Sequence, residues 1–349
     1  MSVRLVEPTL PSQRFRAEPA PTVFDLGLSE NPFPPLPSVL TAVNATLREA
    51  NRYPEFLPQE LPRIIATHLG VSSADVVVGA GATGVALQVM RALGSGELVT
   101  STPTFDGYPI MADMAGMTVV PVPLDPSGNQ DLSAMRRAVN RRTALVVLCR
   151  PHNPTGTVLE AGAVRKFVAA LPQRVPVLLD EAYVEFLAAG DRLDPHMLLV
   201  RHPNLLILRT FSKAYGLAGL RIGYCVGRGA LIERVRAQQL PFGVATASVA
   251  AVRAAYAAGD ELNERVDRIN REREVLRLSL RACGFDIPES HANFLYVPGP
   301  GVATALRRAG IAAKAYADGS ARIAVGDPVA GRAVHAALAG LRGGGFMTA

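Results

Sequence analysis

A lysine near the middle of the chain has surroundings that suit covalent chemistry. Residues 205–208 form an apolar run typical of a buried strand, and Lys213 follows shortly after it. Small residues and glycines come next and would let other groups approach the amine closely. A lysine so placed can form a Schiff base with a carbonyl compound. A solvated lysine in a turn is the ordinary alternative, and the local sequence leaves it open.

Two further polar side chains also follow apolar runs. Asp180 ends the run 177–179, where an aspartate commonly caps the next helix. Asn153 follows the run 144–149 and lies between two prolines, which constrain the backbone and would fix its amide. Both positions suit a functional group at the end of a strand, although a cap or a turn residue is the ordinary use.

A glycine-rich turn, residues 79–84, stands between a short apolar run and a helical pattern. Backbone N–H groups at such a helix start can bind a phosphate, but a tight connection without a ligand is the commoner case. It matches neither a Walker loop nor a dinucleotide fingerprint. Phe105 also follows a strand-like run, and a lone aromatic there is usually part of a core.

The elements that position these residues alternate along the chain. Predicted strands lie at 76–78, 97–100, 118–121, 144–149, 175–179 and 205–208, with helical patterns between several of them. Continuous apolar runs of this kind predict a mostly parallel sheet buried between helices, hence an α/β fold. A charged amphipathic helix over 260–281 and short strands near 293–297 and 322–325 then predict a smaller α+β domain. We expect a large domain over 38–259 and a small domain over 260–349, which the N-terminal arm 1–37 joins.

Several separated motifs resemble those of pyridoxal-phosphate-dependent class I and II aminotransferases of fold type I. They are Pro-Thr-Phe at 103–105, Asn-Pro-Thr-Gly at 153–156, Asp-Glu-Ala-Tyr at 180–183 and the stretch 210–224, Thr-Phe-Ser-Lys-Ala-Tyr-Gly-Leu-Ala-Gly-Leu-Arg-Ile-Gly-Tyr. They are most similar to the histidinol-phosphate aminotransferase branch. The resemblance extends from about Leu28 to Gly326 and covers nearly the whole chain.

The resemblance implies pyridoxal 5'-phosphate as cofactor and assigns residues to its ring. Lys213 would form the Schiff base, and Asp180 would keep the pyridine nitrogen protonated so that the ring withdraws electrons. Asn153 and Tyr183 would reach the phenolic oxygen, and Phe105 would stack on the ring. These roles make Lys213, Asp180 and Tyr183 the predicted catalytic residues.

The resemblance also assigns a phosphate site and a substrate site. The phosphate site comprises Gly81, Ala82, Thr83, Thr210, Ser212 and Arg221, with Tyr53 reaching the cofactor of a neighbouring subunit in a homodimer that shares its active sites. The substrate site comprises Glu30, Asn31, Tyr108, Asn293, Lys314 and Arg322. Arg322 would bind the substrate carboxylate.

Three positions depart from the family pattern. Ala82 offers only its backbone where the family often has an acidic or hydroxyl residue. His152 replaces a common asparagine; it could alter the rim of the active site, but we expect it to lie in solvent. Lys314 stands where the family has an arginine that contributes to anion recognition, and lysine lacks the planar fork of donors. The last departure concerns the substrate rather than the cofactor.

Composition narrows the remaining possibilities. The 349 residues carry a net charge of +6 without a basic block interleaved with aromatics, so we expect no nucleic-acid partner. No apolar run reaches the length of a membrane span, and the polar N-terminus resembles no secretion signal, so we expect a cytoplasmic protein. Cysteines at 149, 225 and 283 have no metal-like spacing, and we predict no metal.

The predicted reaction is transamination between an amino donor and a 2-oxo acid. Histidinol phosphate with 2-oxoglutarate, in histidine biosynthesis, is the first expectation, and an aromatic amino acid such as phenylalanine or tyrosine is the alternative. Decarboxylation of a phosphorylated amino acid by the same lysine is a third possibility. A non-enzymatic binding module is the outside hypothesis, and the complete cofactor set argues against it.

Overall fold

The computed structural model describes residues 23–342, so most of the predicted arm 1–37 lies outside the described residues. In chain order, the strands are β1 Phe24–Asp25, β2 Val76–Ala80, β3 Gly96–Thr102, β4 Met117–Pro123, β5 Thr143–Cys149, β6 Val177–Asp180, β7 Leu205–Thr210, β8 Ile222–Val226, β9 Phe294–Val297, β10 Ile311–Ala312, β11 Lys314–Ala315 and β12 Ala321–Ala324. The helices are α1 Pro37–Thr46, α2 Glu60–Leu69, α3 Gly81–Leu93, α4 Gly107–Met114, α5 Leu132–Ala138, α6 Ala161–Ala170, α7 Pro195–Arg201, α8 Gly229–Arg236, α9 Thr246–Ala257, α10 Gly259–Ala282, α11 Val302–Arg308 and α12 Pro328–Arg342.

The large sheet has seven strands in the order β2-β8-β7-β6-β5-β3-β4. Strand β8 runs antiparallel to both of its neighbours, and the other strands are mutually parallel. The predicted mostly parallel sheet is confirmed. Parallel order places the carboxyl ends of β5, β6 and β7 at one edge, where the candidate residues follow.

Both faces of this sheet are buried. In β5, Val146 and Leu148 pack in one hydrophobic cluster, and Leu145 and Val147 pack in the cluster on the opposite face. Successive side chains of a strand point to opposite faces, so a strand covered on both sides must be apolar throughout. This is why continuous apolar runs, rather than alternating ones, predict the strands.

A second, smaller group of elements follows the long helix α10. Strands β11, β12 and β9 form an antiparallel sheet, and β1 pairs in parallel with β10. A third hydrophobic cluster covers this sheet, with Leu280 from α10, Leu306 from α11 and Val334 from α12. Residues near Phe24 thus join the C-terminal elements, although the limits of the predicted domains stay predictions.

Apolar periodicity predicts the elements unevenly. The charged helix α10 matches its predicted range closely because its apolar positions contrast with many charges. Helix α9 has no such contrast: its buried face consists of Ser248, Ala251, Val252 and Ala255, so the pattern does not predict it. Within residues 23–342, no helix has the length and apolar character required to cross a membrane.

Candidate active site

The predicted residues converge on a cavity of about 500 Å³ at the carboxyl edge of the large sheet. Cys149 of β5 lies beside Asp180 of β6, which in turn lies beside Leu208 of β7, so three strand ends meet there. The predicted residues that line the cavity are Glu30, Ala82, Thr83, Phe105, Asn153, Asp180, Tyr183, Thr210, Ser212, Lys213, Arg221, Lys314 and Arg322.

Asp180 is 8% exposed and has hydrogen-bond donors on both oxygens. Its Oδ1 accepts from the backbone N–H of Ala182 at 3.0 Å, and its Oδ2 accepts from the hydroxyl of Tyr108 at 2.5 Å. Burial raises the pKa of Asp180, and these donors act in the opposite direction. The carboxylate is therefore fixed in orientation and open to a cationic partner in the cavity.

The amine of Lys213 contacts the backbone of the N-terminal segment. Nζ donates to the carbonyl oxygens of Leu28 at 3.0 Å and Ser29 at 3.2 Å. Burial and then the charge of Arg322 lower the pKa of Lys213 to about 8. A substantial fraction of the amine is therefore neutral near pH 8, as a nucleophile or proton acceptor requires.

One end of the cavity suits an anion. Arg221 adopts a left-handed conformation, and its NH2 lies 3.3 Å from Oγ1 of Thr83 at the start of α3. A Cβ at Gly81 would collide with the Arg221 guanidinium, and a Cβ at Gly223 would collide with the backbone of Ala82. Only glycine permits this close approach of helix start and arginine, which together form a phosphate cradle.

Hydroxyl groups extend the same end of the cavity. Thr210 and Ser212 both line it, and their Oγ atoms are 2.9 Å apart. The backbone N–H of Ser212 also donates to Oγ1 of Thr210 at 3.2 Å. These hydroxyls, with Arg221 and Thr83, supply the donor set that a phosphate needs.

The opposite side of the cavity is built by elements distant in the chain. Arg322 in β12 donates to Oδ1 of Asn153 at 2.7 Å and to the carbonyl of Gly27 at 2.6 Å, and its buried Nε has no protein partner within residues 23–342. The ring of Tyr183 packs edge-to-face on Phe294 with centroids 5.1 Å apart. A guanidinium with an unused buried donor suits a carboxylate ligand.

Lys314 lines the more open part of the cavity and forms an ion pair with Asp106. Its Nζ also lies 5.9 Å from the centroid of the Tyr316 ring. In the register of the small sheet, Lys314 stands directly opposite Arg322, which places both cations beside one cavity. The charge of Lys314 is therefore compensated by Asp106.

Two expectations need correction. Tyr108, expected near the substrate, is fully buried, because the first turn of α4 directs its ring under the sheet edge to Asp180. His152, expected in solvent, is also fully buried: Nδ1 lies 2.8 Å from Oγ1 of Thr155 and Nε2 lies 3.1 Å from Oγ of Ser101. Burial lowers the pKa of His152 to about 3, so the ring is neutral.

Other predicted residues lie outside the cavity lining. Gly81 lies directly against the Arg221 guanidinium, where a Cβ would not fit. Asn31 donates to the carbonyls of Lys213 and Ala214, and the amide of Asn293 donates to the carbonyls of Ser29 and Glu30. Tyr53 is 83% exposed and does not line this cavity, and its predicted contact with a neighbouring subunit stays a prediction.

The cavity also contains residues that the motifs do not identify. Among them are Leu28, Asp106 and Tyr316. Tyr316 could have been found, because it lies two residues after Lys314 in an extended segment and so projects to the same side. Asp106 follows Phe105 directly but carries no pattern of its own.

The cavity fits the predicted cofactor. It combines a phosphate cradle, an aromatic ring at Phe105, a buried carboxylate at Asp180 and an amine of lowered pKa at Lys213. A planar ring that carries a phosphate, a basic ring nitrogen and a carbonyl carbon has one complementary group for each of these features.

Comparisons with known proteins give the same picture. The family model "Aminotransferase class I and II" matches residues 21–330. The chain is 45% identical over 290 residues to an aromatic amino acid aminotransferase of Cutibacterium acnes, covering 82% of each protein. It is 40% identical to another of that name from Rhodococcus opacus, covering 88% of this chain and 87% of the relative. The structure of histidinol-phosphate aminotransferase from Sinorhizobium meliloti, in complex with pyridoxal-5'-phosphate, superposes with a TM-score of 0.85 at 31% identity, covering 92% and 91% of the two chains.

Proposed function

This chain belongs to the class I and II aminotransferases and uses pyridoxal 5'-phosphate, and on that premise we propose that it transaminates aromatic amino acids with 2-oxoglutarate as acceptor. The choice of donor rests on two relatives at 40–45% identity, both of which are named aromatic amino acid aminotransferase. This reverses the order of the two donors expected from the sequence, where histidinol phosphate came first.

The charges that line the cavity support an uncharged donor side chain. Among the cations of the lining, Arg221 belongs to the phosphate cradle and Arg322 suits the substrate carboxylate. Lys314 is already paired with Asp106. A phosphorylated side chain would have to compete with Asp106 for Lys314, and the acidic group would repel it.

The apolar surfaces of the cavity support an aromatic donor in the same way. Leu28, Phe105, Tyr183 and Tyr316 contribute to the lining. Aromatic rings gain contact energy from edge-to-face or offset packing against other rings, beyond the gain from burial alone. A phenyl or hydroxyphenyl side chain would find such partners here.

We assign the chemistry of the reaction to five side chains. Bound pyridoxal phosphate supplies an electrophilic carbonyl carbon and a ring that withdraws electrons from the substrate Cα. Lys213 anchors the cofactor and, once released, removes the proton from the substrate Cα through its neutral amine. Asp180 would hold a proton on the ring nitrogen, and Tyr183 and Asn153 would be hydrogen-bond donors to the phenolic oxygen. Arg322 orients the substrate by its carboxylate.

Histidinol phosphate is the second candidate donor. The solved relative of that name shares 31% identity and a TM-score of 0.85 with this chain. This donor has no carboxylate, so Arg322 and Lys314, which stand opposite each other in the small sheet, would both face its phosphate. Decarboxylation of a phosphorylated amino acid stays a third possibility, for which release of carbon dioxide without a keto acid would be the sign.

We also propose that two copies of this chain share their active sites. Tyr53, Phe56 and Phe242 form an exposed aromatic cluster, with Tyr53 and Phe242 centroids 4.7 Å apart. Tyr53 also lines a groove of about 610 Å³ away from the cavity. Exposed apolar patches of this kind favour an interface.

The cytoplasmic location expected from the sequence stays a prediction.

A panel of amino donors tests the proposed function. Each donor is mixed with the purified holoprotein without acceptor, and the cofactor spectrum is followed through a single turnover. We expect phenylalanine and tyrosine to react faster than histidinol phosphate and aspartate. A clear preference for histidinol phosphate would make it the donor in place of the aromatic amino acids. No preference for either class would reject both candidates.

Trapping tests the anchor residue separately from the substrate. Borohydride reduction followed by peptide mapping should find the cofactor on the peptide that contains Lys213. The Lys213→Ala variant should fold and bind the cofactor without trapping. Cofactor trapped at another lysine would remove the basis of the proposed mechanism.

A further inference from the structure

Tyr108 donates a hydrogen bond to Asp180, and the proposed reaction assigns this tyrosine no role. It lies in the first turn of α4 and is fully buried, and its hydroxyl donates to Oδ2 of Asp180 at 2.5 Å. Its ring packs edge-to-face on Phe105, with centroids 5.7 Å apart. The segment at the start of α4 therefore supplies both the Phe105 ring, which lines the cavity, and the Tyr108 hydroxyl, which contacts the Asp180 carboxylate.

This phenol is the strongest donor to that oxygen of Asp180. The other group beside Oδ2 is the thiol of Cys149, whose Sγ lies 3.8 Å away and is a weak donor. Other ionisable groups that interact with Asp180 are Glu181 after β6, Tyr183 in the following turn and Lys213 after β7. Asp180 would otherwise be a buried carboxylate that favours its neutral form.

We propose that Tyr108 is a positioning residue whose hydroxyl holds the Asp180 carboxylate ionised and oriented, so that the proton shared with the cofactor resides on the ring nitrogen. This inference rests on the proposed role of Asp180. A carboxylate that accepts a strong hydrogen bond is a weaker base. It therefore competes less with the ring nitrogen for the shared proton, and the ring remains a stronger electron acceptor.

Removal of the hydroxyl should have a measurable effect on the carboxylate in the apoprotein. The pKa of Asp180 in the folded protein is raised above its ordinary value. The folded apoprotein therefore becomes less stable as the pH rises from about 4 toward that folded pKa, because the unfolded chain releases this proton more readily. Tyr108→Phe raises that folded pKa further and extends the loss to higher pH. We therefore expect the unfolding temperature of the apoprotein to fall further, and so with a larger average slope, as the pH rises above about 4 in Tyr108→Phe.

Two controls separate this effect from simple loss of packing. Tyr215→Phe removes the hydroxyl of another buried tyrosine that does not contact Asp180, and it should leave the pH slope unchanged. In an Asp180→Asn background, Tyr108→Phe should no longer steepen the slope, because the titrating group is gone. A steeper slope that persists in that background would overturn the proposal.

The holoprotein gives a second measurement. Because a hydrogen bond to a charged group changes its protonation equilibrium by about tenfold or more, Tyr108→Phe should move the pH midpoint of the visible absorbance of the bound cofactor by about one unit or more. It should lower kcat about tenfold with little change in KM. Replacement of Tyr108 by a more acidic fluorotyrosine keeps the ring in place and should move the midpoint in the opposite direction.

The outcomes distinguish this inference from the proposed function. An unchanged midpoint in both Tyr108 variants would overturn the positioning role, even if activity falls. If no aromatic donor reacts while the apoprotein slope and the absorbance midpoint respond as expected, the coupling of Tyr108 to Asp180 stands and the assigned substrate is wrong.

Discussion

Replacement of Asp106 by asparagine removes the carboxylate that compensates the charge of Lys314 in the cavity. The two side chains are 56% and 36% exposed, and ion pairs of this kind contribute at most about 1 kcal/mol. The free energy of unfolding should therefore change by less than about 1 kcal/mol. The effect should appear instead in the choice of substrate, because Lys314 becomes a free cation.

The gain for an anionic donor follows from the same exposure. An ion pair at this exposure is worth at most about 1 kcal/mol, whether the partner of Lys314 is Asp106 or an anionic donor. This corresponds to at most about a fivefold rise in kcat/KM for histidinol phosphate relative to phenylalanine. The assay measures both donors with the same acceptor at one ionic strength, and added salt should diminish the rise.

Two variants decide whether the effect arises from this pair. Asp113→Asn removes an exposed carboxylate from the same helix outside the cavity lining, and the donor ratio should not change. Asp106→Asn combined with Lys314→Met should lose the gain. An unchanged ratio in Asp106→Asn, or a gain that survives in the double variant, would refute the reasoning about the charge balance.

Three further predictions concern the cofactor and the core. Capture of pyridoxal phosphate by the apoprotein should accelerate about tenfold per pH unit up to about pH 8 and then level off, because Lys213 reacts as the neutral amine; a profile without a break near pH 8 would contradict the lowered pKa. Gly81→Ala should weaken cofactor binding by tenfold or more in an absorbance titration, because a Cβ there collides with Arg221 and the backbone angle φ is +74°. Arg209→Met should lower the free energy of unfolding in urea by about 3–5 kcal/mol, since it leaves Glu181 buried without its partner, and a change below 1 kcal/mol would show that the pair is dispensable.

Sequence patterns predicted which residues lie together at the carboxyl edge of the large sheet, for a physical reason. Asp180, Asn153 and Lys213 each follow a buried strand, and the carboxyl ends of parallel strands meet at one edge of the sheet. Order along the chain is therefore enough to place such residues near one another. The same reasoning predicted the sheet, since strands covered on both faces are apolar throughout.

Patterns within one segment could not predict how distant segments meet. Strand β12 brings Arg322 to Asn153 across 169 positions of the chain, and no local signal records that contact. The pairing of Lys314 with Asp106 likewise depends on how the small sheet packs against the start of α4. The charge available to a substrate is a property of that packing.

The amino-acid sequence by itself determined the family, the cofactor and the identity of the strand-end residues, because these depend on residue type and order. Only the tertiary structure decided which way individual side chains point. His152 and Tyr108 both follow strand ends, as Asn153 does, and packing buries all three, yet only Asn153 lines the cavity. Tyr108 therefore contacts Asp180 rather than the substrate site where the sequence placed it. The direction of a side chain in the first turn of a helix depends on the elements that pack over it.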